Sequence, residues 1–343
     1  MNHELRIKHM GKIRVAINGF GRIGRSAFKI ALEKKGLEVV AINDLTDAQT
    51  LAHLLKYDTA YGVYERDVQW GEGYIQVDKK KIPVLAEKDP TKLPWKKLKV
   101  DCVLECTGIF TKDGKARMHI QAGARRVIVS APTSGEGGVQ TFLLGVNSES
   151  YKGEEVISNA SCTTNSIGPV AAVILENFGI KKGMMSTIHS YTQDQNLQDG
   201  PHKDLRRARA AAHNIVPTTT GAAISVTEAL PQLRGKFDGI AVRVPTITGS
   251  LTDFTFLVNR SVTAEEVNEA LKKAAASERY RGILAVTADP VVSSDIVGNT
   301  NSSIVDLGLT RVIDGDLVKI MAWYDNEWGY ANRLVEQVEV ICK

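Results

Sequence analysis

Cysteine is scarce in this chain. The four present, Cys102, Cys106, Cys162 and Cys342, are too few and too oddly spaced for a disulfide framework or a zinc site. Long apolar runs are missing too, and no window approaches the roughly 18 consecutive apolar residues of a membrane span. The opening stretch MNHELRIKHM lacks the apolar core of a secretory signal and reads as a short tail, with fold-like patterning from Lys12. Nor does one sign of charge dominate: 43 Lys and Arg against 39 Asp and Glu leave +4. That balance does not point to nucleic acid as a primary partner and is compatible with anionic small molecules. Repeats and low-complexity segments are absent. The expectation is a globular, non-membrane, metal-free protein of a reducing cytoplasm.

What is present is organised in two textures, and 343 residues suit two domains. Residues 12–44, KIRVAINGFGRIGRSAFKIALEKKGLEVVAIND, read as strand, glycine turn, helix and strand, with the helix from about Ile23 ended by Gly36. DCVLECTG, RRVIVSAP and EEVISNA are further short strands with helical patterns between them. This alternation predicts a doubly wound parallel α/β sheet over the first 160 or so residues. Beyond Cys162 the strand-like runs lengthen (GMMSTIHSYT, GIAVRVPTITGSLTDFTFLV, DLVKIMAWYDNEWGY). They predict an α+β second domain, with Thr263 and Glu266 forming a capping box for one of its helices. The helical C-terminal segment, NRLVEQVEVICK, is expected to pack back on the first domain. PTKLPWKKLK, residues 90–99, reads as a solvated lysine-rich face.

GFGRIG supplies Gly19, Gly21 and Gly24 in the dinucleotide spacing. Alone the pattern is weak, but here it follows a strand, opens a helix and is answered by Asp44 at the end of the next strand. Gly19 permits the tight turn, Gly21 lets backbone approach a pyrophosphate, and Gly24 allows close packing. A carboxylate at Asp44 favours a ribose diol over a 2′-phosphate, so the expected cofactor is NAD.

Cys162 sits in SNASCTTNS, polar company for a residue that usually prefers apolar neighbours. An ordinary thiol is only about 3% ionised at pH 7, and a helix N-terminus contributes too little to change that. A cationic partner is needed, and the reading is an imidazolium. His53, His119, His202 and His213 lie in charged or helical contexts that suit the surface. His189, in STIHSYT, interrupts a β-rich run. Whether the helix begins at Cys162, with Pro169 inside it, or nearer Gly168 is left open. Anion-binding candidates cluster in KDLRRARAAAH, VPTTTGAA and AVRVPT.

Together INGFGRIGR, SNASCTTN, HSYT, PHKDLRRARAAA, PTTTGAA, RVPT and WYDNEWGY resemble the phosphorylating glyceraldehyde-3-phosphate dehydrogenases, in family order from Lys12 to the C-terminus. The resemblance implies a Rossmann-type NAD-binding domain (1–161 and 326–343) and a catalytic domain with a large mixed sheet (162–325). It implies oxidative phosphorylation of D-glyceraldehyde 3-phosphate to 1,3-bisphosphoglycerate through a thiohemiacetal and a thioester on Cys162, with His189 as base. By the same resemblance Thr192 and Arg243 hold the substrate phosphate. Ser161, Thr163, Arg207, Thr220 and Gly221 hold the attacking phosphate and acyl group. Arg22, Ile23, Asp44, Lys88, Ser130 and Asn326 contact the cofactor. The family is typically a homotetramer, with residues around 190–215 bordering a neighbour's cofactor site. Departures are Ser166 in place of a second cysteine, Lys88 in place of arginine, Gly200 before Pro201, and an unusual TITGSLTDF. The rival reading, erythrose-4-phosphate dehydrogenase, is disfavoured by Thr192 and the intact TTTG.

Overall fold

The first strand, β1 (Ile13–Asn18), passes through α1 (Arg22–Glu33) to β2 (Leu37–Asn43), its parallel neighbour. This unit opens the computed structural model, which describes residues 11–342; the expected tail lies outside that range except for Gly11. Both faces of β1 are covered. Val15 and Ile17 join the cluster under α1, while Ala16 joins the opposite one. Burial on both sides is why a continuous apolar run, rather than an alternating one, makes this strand. The helix stops at Glu33, three residues before Gly36, because Lys34 is already extended.

Next come α2 (Ala48–Lys56) and a two-stranded hairpin, β3 (Tyr57–Asp58) with β4 (Gly62–Val63). Strands β5 (Val68–Gly71), β6 (Tyr74–Val77) and β7 (Lys80–Leu85) form an antiparallel meander hung on the edge of β2 through β7. The alternation read from the sequence did not anticipate this meander. Strand β8 (Cys102–Glu105), helix α3 (Met118–Gln121), and strands β9 (Arg126–Val129), β10 (Gln140–Thr141) and β11 (Val156–Ser158) complete the layer. The order is β10-β11-β9-β8-β1-β2-β7-β6-β5, parallel up to β7.

The second sheet is mixed. Helix α4 (Cys162–Phe178) leads into β12 (Ile180–Ser190), β13 (Val216–Thr219), α5 (Ala222–Ala229), β14 (Phe237–Val244) and β15 (Ser250–Val258). The long run at 239–258 is therefore two strands, separated at Pro245–Gly249. Helix α6 (Ala264–Ala275) carries the capping box of Thr263 and Glu266. Strands β16 (Leu284–Thr287), β17 (Ser303–Asp306), β18 (Arg311–Ile313) and β19 (Leu317–Tyr324) finish the sheet, in order β13-β14-β12-β15-β19-β17-β16 with β18 beside β19. Burial alternates strictly along β15, so one face (Phe254, Phe256, Val258) packs on α4 and α6. The last helix, α7 (Trp328–Ile341), returns to the first sheet, where Leu334, Val335 and Val338 join Phe28 and Ala31 of α1.

Candidate active site

Cys162 is the first residue of a 17-residue helix, and the approach to it is tightly held. Ala160 adopts φ +53°, a left-handed conformation that costs a residue with a Cβ about 1 kcal/mol or more. Two bonds maintain it: the Ala160 amide donates to Ser158 Oγ (3.0 Å), and Tyr330 Oη donates to the Ala160 carbonyl (2.9 Å). Ser161 caps the helix, accepting from the Thr164 amide at 3.1 Å. The alternative of a helix starting near Gly168 is thus not what forms. Pro169 lies buried inside α4, where its missing N–H forfeits one ladder bond.

The next-to-last residue of β12 is His189, buried to 3% exposure, and its Nε2 lies 3.4 Å from Cys162 Sγ. Parallel register with β14 sets Arg243 directly beside it. Arg243 Nη1 donates to the Ser190 carbonyl (3.1 Å) and lies 2.9 Å from His189 Nδ1, which is 2.6 Å from the same carbonyl. Nδ1 cannot both accept from Arg243 and donate to Ser190 O. The shorter contact makes it the donor, so Nδ1–H and Arg243 are both directed at Ser190 O and the Arg243–Nδ1 approach is not a hydrogen bond. The Nε2 lone pair then faces the thiol. Burial, reinforced by the Arg243 charge, pushes His189 down to about 3. Burial likewise pushes the Cys162 thiol up, opposed by the Arg243 charge and the Thr163 hydroxyl. The imidazolium expected from the sequence is therefore corrected to a neutral imidazole. The fixed cation beside the sulfur is Arg243, and desolvation is the reason a charge on the ring is disfavoured.

A stability prediction follows from this burial. The unfolded chain protonates His189 near 6.5, whereas the folded chain resists until about 3. The contribution is complete above pH 6.5 and is lost as the pH falls toward 3, the loss reaching about 2–3 kcal/mol by pH 4.5. Urea denaturation midpoints at pH 7.5 and 4.5 check it: His189→Asn should lose markedly less stability between the two than the parent.

Around the pair, Thr163 Oγ1 contacts Tyr324 Oη at 3.0 Å, and Tyr324 reaches Thr187 at 2.8 Å while its ring meets His189 edge-on. Sequence reading missed Tyr324, although it sits inside the specific WYDNEWGY stretch. Thr192 follows β12 and is half-buried. Arg207 is committed to Asp194, to Thr218 Oγ1 (2.9 Å) and to the Thr219 carbonyl (3.1 Å). Thr220 and Gly221 form the entry to α5, Gly221 at the N-cap.

A cleft of about 810 Å³ opens at the carboxyl ends of β1, β2 and β8, lined among others by Gly19, Gly21, Arg22, Asp44 and Lys88. Gly19 (φ +89°) has no room for a side chain, since a Cβ would come within 2.8 Å of the Thr107 amide. At Gly24 a Cβ would sit 2.1 Å from the Gly19 carbonyl. Gly21 faces open space, and α1 begins there with no side-chain cap and no acid in its first turn. Bare helix amides over a glycine cradle fit a pyrophosphate. Asp44 accepts from the Phe20 (2.7 Å) and Thr46 (2.9 Å) amides, one on each oxygen, leaving lone pairs for ribose hydroxyls. Asp44→Ala should narrow a preference for NAD over NADP by about tenfold or more, measured as the ratio of kcat/KM values.

The other cofactor candidates divide. The Arg22 side chain pairs with Glu327 and Asp58, so a contact to cofactor falls to its backbone. Ile23 packs on the core cluster, and Ser130 follows β9 with its amide on the Glu105 carbonyl. Asn326 is buried. Its Oδ1 accepts from the Gly249 amide (3.1 Å) and Ser250 Oγ (2.9 Å), with Thr248 Oγ1 at 3.3 Å, leaving Nδ2 without a partner among the described residues. The unusual TITGSLTDF stretch thus supplies two donors that fix one amide, the Gly249 N–H and the Ser250 hydroxyl, while the Thr248 hydroxyl lies closer to Asp325 Oδ1 (2.9 Å).

Residues 13–113 match the model of the glyceraldehyde 3-phosphate dehydrogenase NAD binding domain, and residues 161–326 that of the C-terminal domain. Glyceraldehyde-3-phosphate dehydrogenase 2 of Streptomyces avermitilis is 56% identical over 327 residues, covering 94% of this chain and 97% of its own. The chain belongs to the glyceraldehyde-3-phosphate dehydrogenase family. The Streptomyces coelicolor enzyme is 55% identical with the same coverage, and that of Mycolicibacterium smegmatis 53% identical over 96% of this chain and 99% of its own. The family's C-terminal region takes in Cys162, His189 and Arg243, and its NAD-binding region takes in the glycine cradle and Asp44. No helix among the described residues is long and apolar enough to cross a membrane.

Proposed function

We propose that this chain oxidises and phosphorylates D-glyceraldehyde 3-phosphate to 1,3-bisphosphoglycerate, using NAD and inorganic phosphate. The observation that carries the reading is the 3.4 Å contact between Cys162 Sγ and His189 Nε2, in a chain of this family. Attack of the sulfur on the aldehyde carbon forms the carbon–sulfur bond of a thiohemiacetal, and the thiol proton passes to Nε2. The protonated ring then faces the new oxyanion and stabilises it. NAD, when bound in the cleft, supplies the hydride acceptor that converts the thiohemiacetal to a thioester. Inorganic phosphate attacks the thioester carbonyl, and Cys162 leaves as the thiolate that recovers the proton.

Thr192 and Arg243 hold the substrate phosphate; the buried Nε of Arg243, unpartnered among the described residues, supports a site that still lacks an acceptor. Ser161, Thr163, Arg207, Thr220 and Gly221 hold the attacking phosphate. Gly19, Gly21, Gly24, Arg22, Ile23, Asp44, Lys88 and Ser130 line the dinucleotide path, and Asn326 orients the carboxamide through its free Nδ2. The domains divide at 1–161 with 326–343, and 162–325. A homotetramer is the proposed assembly: Leu197, Leu205 and Ile215 are 83%, 81% and 70% exposed along one segment, an apolar surface suited to a second copy. Free thiols throughout suit a reducing cytoplasm.

The test is NADH formation from glyceraldehyde 3-phosphate with and without inorganic phosphate. Phosphate-dependent turnover is expected; phosphate independence, or faster turnover of erythrose 4-phosphate, overturns the assignment.

A further inference from the structure

His119 is fully buried, against the expectation that it suits the surface, and so is Glu105 beside it. Neither takes part in the chemistry above. Strands β8, β1 and β2 are neighbours, and their last residues, Glu105, Asn18 and Asn43, stand in register across the sheet. These three polar ends are bonded in a row. Asn18 Nδ2 donates to Glu105 Oε2 (2.5 Å), and Asn43 Nδ2 donates to Asn18 Oδ1 (2.6 Å). Behind the row, Trp95 Nε1–H donates to His119 Nδ1 (3.0 Å), and His119 Nε2 lies 2.9 Å from Glu105 Oε2. An indole N–H can only donate, so Nδ1 is the acceptor and Nε2 carries the hydrogen given to Glu105. Thr107 completes the set, donating to Glu105 Oε1 through its amide (2.8 Å) and its hydroxyl.

Four donors converge on one buried carboxylate, and no Lys or Arg among the described residues pairs with it. Each carboxylate oxygen faces two donors, Asn18 and His119 on Oε2 and the Thr107 amide and hydroxyl on Oε1. The row ends on the walls of the cleft. Asn43 grips the Glu87 backbone at both its carbonyl and its amide (2.9 Å each), while Thr107 lies beneath Gly19. Asn18, Asn43, Glu87, Lys88 and Thr107 all line the cleft.

We propose that Glu105, oriented by His119 and Trp95, is a positioning residue for the dinucleotide site: its carboxylate fixes the Glu87–Lys88 wall through Asn18 and Asn43, and the Thr107 wall directly. This rests on the cofactor reading of the cleft. Glu105→Gln keeps the shape but directs an NH₂ at donors, and His119→Phe removes the N–H that holds the carboxylate. Either change should raise the NAD dissociation constant about tenfold or more by calorimetry. KM for NAD should rise in parallel, kcat at saturating NAD should fall far less, and KM for glyceraldehyde 3-phosphate should stay near that of the parent. In the NAD-free protein, amide hydrogen exchange at Glu87 and Thr107 should accelerate. His119→Gln, which restores one N–H, should fall between the parent and His119→Phe. Parent-like NAD affinity and exchange in folded Glu105→Gln or His119→Phe overturns the proposal. So does an equal loss of NAD affinity, kcat and melting temperature, which marks a merely structural role. If Glu105→Gln does not fold, the two His119 variants decide by the same criteria. Failure of the parent itself to bind NAD refutes the cofactor reading instead.

Discussion

Replacing Cys162 by serine lowers phosphate-dependent NADH formation by about four orders of magnitude or more. The change is small in volume and leaves the Ser161 cap and the α4 backbone as they are, so the melting temperature should move by only a few degrees. What is lost is nucleophilicity. A hydroxyl is far less acidic and less nucleophilic than a thiol, and the ring beside it has its basicity lowered by burial. Steady-state assays on the purified variant, with calorimetry to show that NAD still binds, separate loss of chemistry from loss of fold. Retention of even a tenth of the parent rate would remove Cys162 as the nucleophile.

Replacing His189 by asparagine lowers kcat by about 10²–10⁴-fold, the usual worth of a positioned acid–base group. A second readout isolates the cause. With the ring present, the thiol proton can pass to Nε2, 3.4 Å from Sγ, without changing the net charge of the buried pair. Without it, Cys162 must ionise alone in a site whose burial pushes the thiol above its ordinary range. Alkylation of Cys162 by iodoacetamide at pH 7 should therefore slow by about tenfold or more, and its pH dependence should move to higher pH. Unaltered alkylation would mean that Arg243 and the helix terminus alone govern the sulfur.

Much of this was legible in the sequence because it is local. The glycine spacing, the strand before it and Asp44 after it lie within 32 residues, and the steric demands at Gly19 and Gly24 follow from that spacing. The capping box of α6 is equally local. The pairing of Cys162 with His189 was legible only as a need for a partner; the 3.4 Å separation comes from α4 packing across the mixed sheet. The charge state was misread because burial is a property of the folded chain. For the same reason His119, expected at the surface, and Trp95, within a lysine-rich stretch read as solvated, are both fully buried. The β5–β7 meander escaped because short strands over 68–85 carry no helical signal to contrast with.

The return of α7 to the first sheet has a consequence for biosynthesis. As the polypeptide leaves the ribosome, the nucleotide-binding layer emerges first but lacks the helix that covers Phe28 and Ala31. That layer is completed only when residues 328–341 are released, after the entire mixed sheet has been made. The half of the molecule translated earliest thus cannot close its core until the last helix is made, and loss of a few C-terminal codons strikes the domain begun at the opposite end of the message.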